Sequence, residues 1–208
     1  MKSIIKEEEI IMETNKVSEI VFMLDMTASM QPLAAETVIG FNNFIEEQKK
    51  VPGEAKVTLI TFNSNKTEKV YNCVDLTTIQ PMKQEEYRPN GMTPLLDTIG
   101  NTIKETGERL KNTDEPDRPE KLIVCIMTDG EENFSHTYDR KQVFDMVKHQ
   151  KDVYKWEFVF LGANQDSFLE AGRLGVDKKD IQNYTSDSDG LKAAYTFTSA
   201  AVTQYRNQ

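Results

Sequence analysis

The sequence predicts a Rossmann-like, doubly wound α/β domain. About six strands form a mostly parallel central sheet, one of them antiparallel at an edge, with helices on both faces. Three observations lead there. Short apolar runs alternate with stretches of helical periodicity, and the runs are apolar at consecutive residues rather than at every second one. Polar residues then collect directly after those runs. Continuous apolarity suits strands covered on both faces of a parallel sheet, and strand–helix alternation suits parallel crossover units.

Taken in order, residues 1–16 lie outside this pattern and are expected to be a flexible segment before a single domain over 17–208. The first strand runs from Ser18 to Leu24. Ala34, Val38, Phe41 and Ile45 then fall on one helical stripe that stops before Pro52-Gly53. Lys56 to Phe62 is the second strand, and the polar turn Asn63-Ser64-Asn65-Lys66 returns the chain as an antiparallel edge strand, Lys69 to Val74. Leu96, Ile99, Ile103 and Leu110 mark the second helix, and Leu122 to Met127 the next strand. Val143 with Val147 marks a third helix, followed by a strand from Trp156 to Leu161. Phe168-Leu169 with Ala171 marks a short fourth helix, and a last strand falls near Asp180 to Tyr184. Leu191, Ala194/Tyr195, Ala201/Val202 and Tyr205 form the stripe of the final helix, with Ser188 or Asp189 as its cap.

Composition narrows the function. A chain of 208 residues supports one domain of ordinary size. Acidic residues outnumber basic ones by 34 to 25, a net charge of −9, and the longest basic run is the pair Lys49-Lys50. Such a balance repels phosphate backbones, so no nucleic-acid partner is expected. The apolar runs fall far short of the ~20 residues that span a bilayer, so no membrane role is expected either. The N-terminus lacks the apolar core of a secretory signal. Cys73 and Cys125 show no paired spacing and read as reduced core residues of a cytoplasmic protein.

Ligands of open parallel sheets bind beyond the carboxyl ends of the strands. The first run is followed there by Asp25-Met26-Thr27-Ala28-Ser29, and the Leu122–Met127 run by Thr128-Asp129-Gly130-Glu131-Glu132-Asn133. Trp156–Leu161 is followed by Gly162-Ala163-Asn164, and Asn90-Gly91-Met92-Thr93-Pro94 opens the second helix. Asp25, Thr27 and Ser29 alternate, so three oxygens can point one way from an extended turn. Thr93 adds a hydroxyl and Asp129 a second carboxylate. Oxygen donors of this kind suit a hard cation, Mg²⁺ or Mn²⁺ (or Ca²⁺). Each element also has an ordinary reading: Thr27, Ser29 or Thr93 as helix caps, Asp129-Gly130 as a turn. Glu131 and Glu132 read as solvated loop charges, and His136 as a solvated loop histidine.

Asp25-x-Thr27-x-Ser29, Thr93 within Gly91-Met92-Thr93-Pro94, and Thr128-Asp129-Gly130 together resemble the von Willebrand factor A (vWA) domain with its metal-ion-dependent adhesion site. The resemblance runs from about Val17 to the C-terminus. Gly40-Phe41-Asn42 and the stretch from Trp156 to Asn164 are similar to small bacterial and phage members of that family. Thr27 stands where the family usually has serine; it keeps the hydroxyl. The resemblance implies that Ser29, Thr93 and Thr27 contact a divalent metal through hydroxyls, while Asp25 and Asp129 act mainly through water and hydrogen bonds. It further implies an open metal position filled by an Asp or Glu carboxylate of a protein partner, hence recognition rather than catalysis. The rival is a magnesium phosphatase of the haloacid dehalogenase type, whose Asp-x-Asp-x-Thr pattern begins like Asp25-x-Thr27. Thr27 sits where that chemistry needs a carboxyl to protonate the leaving group. A partial EF-hand spacing from Thr185 to Thr196 lacks its bidentate glutamate and is set aside.

Overall fold

The structure, a computed structural model, describes residues 17–129, 131–163 and 165–208, the last stretch without the side chains of 165–168. The expected N-terminal segment 1–16, together with Gly130, Asn164 and the Phe168 side chain, lies outside the described residues.

Six strands form one sheet: β1 (Ser18–Asp25), β2 (Ala55–Phe62), β3 (Thr67–Asp75), β4 (Lys121–Thr128), β5 (Glu157–Ala163) and β6 (Ile181–Tyr184). Their order is β3-β2-β1-β4-β5-β6. Every pairing is parallel except β2 with β3, so the antiparallel strand lies at an edge as expected. The helices are α1 (Ala34–Lys49), α2 (Leu95–Lys111), α3 (Arg140–Tyr154), α4 (Gln165–Arg173) and α5 (Ser188–Arg206).

Alternating side chains of β1 feed two cores. Ile20, Phe22 and Leu24 pack under α1 and α5, where Phe41, Phe44, Ile45, Leu191, Ala194 and Tyr195 close the layer. Val21 and Met23 face the opposite way and meet Leu96 and Ile99 of α2 and Val143 and Val147 of α3. This two-sided demand explains the unbroken apolar run of β1. Burial is complete for Ile20 through Leu24, each at 0% exposure.

Three details differ from the sequence expectations. Leu169 points outward at 56% exposure, so only Ala171 of the expected α4 stripe is buried among the described side chains. Cys125 is a core thiol, but Cys73 is half-buried on the edge strand with φ +54°, beside irregular β2–β3 register. Its N–H is taken by the Thr58 hydroxyl at 3.0 Å, which holds the bulge. The cap of α5 is Asp187, whose carboxylate accepts the Gly190 N–H at 2.7 Å, because that residue and not Ser188 precedes the first helical turn.

α1 and α5 approach closely over Gly40. A Cβ there would lie 2.1 Å from the Tyr195 ring, a buried side chain whose hydroxyl donates to the Thr37 carbonyl. The ring stacks on Phe22 and is held by that bond, so moving it aside has a cost. Gly40→Ala is therefore expected to lose about 1–3 kcal/mol despite its better helix propensity. Urea unfolding checks this, and an unchanged or raised midpoint contradicts the packing.

Candidate functional site: the carboxyl ends of β1 and β4

The strand order reverses direction between β1 and β4. Chains leaving these two strands diverge to opposite faces, which opens a crevice at their carboxyl ends. Asp25 closes β1 and Asp129 directly follows β4.

Asp25 is fully buried, and both carboxylate oxygens are engaged. Oδ1 accepts the Thr27 N–H at 2.7 Å, and Oδ2 accepts the Thr128 hydroxyl at 2.5 Å. One side chain thus joins the first loop to the end of the neighbouring strand. Ser29 sits above it, exposed, and donates its hydroxyl to Asp129 Oδ1 at 2.7 Å. Thr27 Oγ1 and Ser29 Oγ lie 3.1 Å apart. Asp25, Thr27, Ser29 and Asp129 are therefore one connected cluster, buried at its floor and open at its top.

The turn before Thr93 is tied to the first loop through its backbone. Ala28 N–H donates to the Gly91 carbonyl at 3.0 Å and Asn90 N–H to the Met26 carbonyl at 3.0 Å. Gly91 has φ +76°, and a Cβ there would meet Ser64 Oγ at 2.7 Å, so this turn requires glycine. Among the described residues, no hydrogen bond links the buried Thr93 side chain to the other four.

None of the three hydroxyl residues serves as a helix cap. Thr27 precedes a short 3-10 helix, Ala28–Leu33, without a side-chain capping bond, and Ser29 lies inside it. The cap position of α2 is Pro94, not Thr93. The α2 N-terminus is capped from elsewhere: Glu132 Oε2 accepts Leu96 N–H at 2.8 Å and Ser135 Oγ accepts Asp97 N–H at 3.0 Å.

Glu132 and Asn133 are the residues sequence reasoning undervalued. Glu132 is no idle loop charge. Its carboxylate also takes the N–H groups of Phe134 and Ser135 and the Ser135 hydroxyl, at 2.6–2.8 Å. Asn133 exchanges two bonds with the Thr93 backbone, Oδ1 to N–H at 2.8 Å and its own N–H to the carbonyl at 3.1 Å. The available signal was an acidic residue and an amide in a loop facing bare helix-terminal N–H groups. His136 is exposed, as expected, and packs edge-on against Phe134.

Burial pushes the Asp25 carboxyl from 3.8 up to about 6, against the opposing bonds from Thr128 and Thr27, and the Asp129 charge adds to the rise. Asp129 is raised as well, mainly by burial, with the Ser29 bond opposing. Two carboxylates thus face one another around hydroxyl oxygens. That donor set fits a small hard cation, which would relieve the repulsion and leave room for water. Among the described residues no cluster of three or more His, Cys, Asp or Glu side chains is arranged to hold a metal. An ion at this rim would therefore depend on hydroxyls and water as much as on charge.

Comparison with family models finds no match, and comparison with curated protein sequences finds none. Solved structures do match. Proximal thread matrix protein 1 from the mussel byssus aligns at TM-score 0.61 and 14% identity, over 93% of this chain and 47% of that one. The pilus adhesin SpaC from Lactobacillus rhamnosus GG, in its open conformation, aligns at TM-score 0.62 and 16% identity, over 91% of this chain and 30% of the adhesin. The likeness is one of fold, a shared Rossmann-like α/β sheet domain. Identity at this level establishes the fold alone, and the chain spans about half of the first protein and under a third of the second. Among the described residues, no helix is long and apolar enough to cross a membrane.

The raised Asp25 value has a consequence for stability. The folded state favours the neutral carboxyl, so the contribution is complete below the unfolded pKa of 3.8 and is lost as pH rises through about 6. The shift corresponds to about 3 kcal/mol, at ~1.4 kcal/mol per pKa unit. In metal-free buffer, the native chain is expected to lose about that much stability relative to Asp25→Asn between pH 4 and pH 7. Urea titrations of both proteins across that range read it; a constant difference contradicts it.

Proposed function

We propose that this chain is a vWA-type protein-binding module whose rim holds a divalent cation, Mg²⁺ or a close substitute such as Mn²⁺ or Ca²⁺. Asp25, Thr27, Ser29, Thr93 and Asp129 form the holding set. Ser29, Thr27 and Thr93 would meet the ion through hydroxyls. Asp25 and Asp129 would act mainly by orienting those hydroxyls and bound water. The carrying observation is the chain of contacts from Thr27 through Ser29 to Asp129, made by hydroxyls that no helix cap consumes.

A cation held chiefly by neutral oxygens keeps most of its charge. It then attracts a further anionic ligand, and the carboxylate of an Asp or Glu on a protein partner completes its shell with a charge-assisted contact. The net charge of −9 repels acidic partners at long range, so this attraction must act locally. The names of the two similar structures, an adhesin and a thread matrix protein, agree with an adhesive module.

The buried, doubly bonded state of Asp25 supports this reading over the phosphatase one. A nucleophilic aspartate needs an oxygen open to substrate, and Asp25 is fully buried. No metal-dependent turnover of phosphate monoesters is expected, and turnover abolished by Asp25→Asn would promote the rival.

At ten times its dissociation constant, the cation should add about 1.4 kcal/mol and raise Tm by roughly 3–6 °C. Ser29→Ala should remove most of that increment. Asp129→Ala should weaken capture of a protein partner strongly, with stability in chelator nearly unchanged, while Lys141→Ala, a surface residue paired with Asp145, should do little. Melting curves with millimolar Mg²⁺ or Mn²⁺ and with chelator are the test. Identical curves for the native chain in all conditions sink the proposal.

A further inference from the structure

α1 and α5 lie side by side on one face of the sheet, and a groove of about 930 Å³ runs between them. Gly40 and Tyr195 meet at its floor, where the missing Cβ leaves room for the buried ring. Ile39, the residue before Gly40, stands on the α1 wall with 60% exposure. The α5 wall offers it Thr196, Ser199 and Ala200, none of them bulky.

The charges on the two walls are opposite in sign and level with one another. Glu36 lies one turn before Gly40 on α1, and Lys192 lies one turn before Tyr195 on α5. Both line the groove at the end nearest the rim, where each helix begins. Among the described residues, no ion pair within the chain engages either of them.

We propose that this groove is the interface of a two-fold dimer of this chain, in which Ile39 of each copy enters the groove of the other. A contact that closes on itself must be complementary to itself. With a two-fold axis along the groove, the α1 wall of one copy lies over the α5 wall of its partner at the same height. Glu36 then faces Lys192 of the second copy, and the symmetry repeats the pair. Glu47, at the far end, is level with Thr203, since Gln48 donates to the Thr203 hydroxyl at 3.2 Å. Across the dimer its carboxylate meets the hydroxyl and amide donors of Thr203 and Gln204. The exposed Ile39 leaves water between these polar ends.

Charge selects the second copy as occupant. Each chain carries −9, so two copies repel unless the contacting walls match in sign. The α1–α5 groove supplies that match. The groove of about 890 Å³ between α2 and α3 does not: Asp145 on its α3 wall is already bound to Lys141, and Lys104 and Lys111 stand on its α2 wall. An unrelated partner would have to present a base and an acid at this spacing beside an apolar knob. This chain carries all three. The dimer needs no metal. Its axis keeps both rims on one side, so on the cation reading of the rim, and only on that reading, it presents two sites together to a repetitive surface.

Sedimentation velocity of the full chain in chelator tests the dimer, which separates its failure from failure of the cation reading. The native chain should pass from monomer to dimer as concentration rises through the micromolar range. Ile39→Glu changes an exposed side chain, so it should melt like the native chain at dilutions where both are monomeric, and stay monomeric above them. Glu36→Lys and Lys192→Glu each set like charges opposite one another and should weaken association at least ~10-fold. Combining the two restores both pairs and should bring association back to within ~3-fold of native. A native chain that stays monomeric to its solubility limit overturns the proposal and leaves the groove to another occupant. A dimer indifferent to Ile39→Glu, or single variants that the combined one fails to rescue, overturns it by placing the contact on another face.

Discussion

The carboxylate of Asp25 spans the point at which the sheet reverses direction, and the arrangement of the rim depends on that one buried group. Burying a carboxylate costs several kcal/mol unless its oxygens are satisfied. Here Oδ1 accepts from the Thr27 backbone and Oδ2 from the Thr128 hydroxyl. Bonds to the loop after β1 and to the end of β4 thus offset part of the solvation lost on burial, and the raised pKa reflects the remainder. The first bond sets the turn that raises Thr27 and Ser29. The second ties β1 to β4 at the place where Asp129 emerges. A one-residue shift of β1 against β4 would break the Thr128 bond and turn the side chains of the displaced strand to opposite faces of the sheet.

Two tyrosines reinforce the same place from below. Tyr87 donates to the Asp25 carbonyl, and Tyr184 donates to the Thr128 carbonyl at 3.3 Å. Both are almost wholly buried, and burial raises both phenols further above their usual value, so they act as neutral donors. Each tyrosine thereby adds a donor to the last carbonyl of a strand. The rim loops are then laced to one another rather than to the core. Asn63 and Asn90 hold the first loop to the second, and Asn133 holds the second to the third. The site is stiff where it meets the sheet and polar where it meets water.

Much of this was legible in the residues. Strand and helix stripes, the antiparallel edge and the two aspartates at one sheet end emerge from periodicity and from what stands after each apolar run, since two-sided burial leaves a strong local signature. What escaped is non-local. Glu132 caps a helix 36 residues earlier in the chain, and Tyr87 supports a strand end 62 residues away. Their immediate neighbours read as a loop charge and an isolated aromatic residue; the signal for Glu132 lies in the bare N–H groups at the start of a helix elsewhere in the chain. Cys73 escaped for a related reason: its segment has strand composition, but a register irregularity takes it out of the core. Asp187 displaced Ser188 as the α5 cap by one position, the usual scale of uncertainty at a helix end.

Cation binding at the rim is the claim on which the functional account stands. It predicts where electrons should appear. Crystals grown in chelator and soaked in Mn²⁺ should show an anomalous difference peak bounded by Thr27, Ser29, Thr93 and Asp129, bonded directly to hydroxyl oxygen and abolished in Ser29→Ala. A peak elsewhere, or a rim filled by water alone at saturating Mn²⁺, would contradict the account and leave this α/β domain to bind through another face.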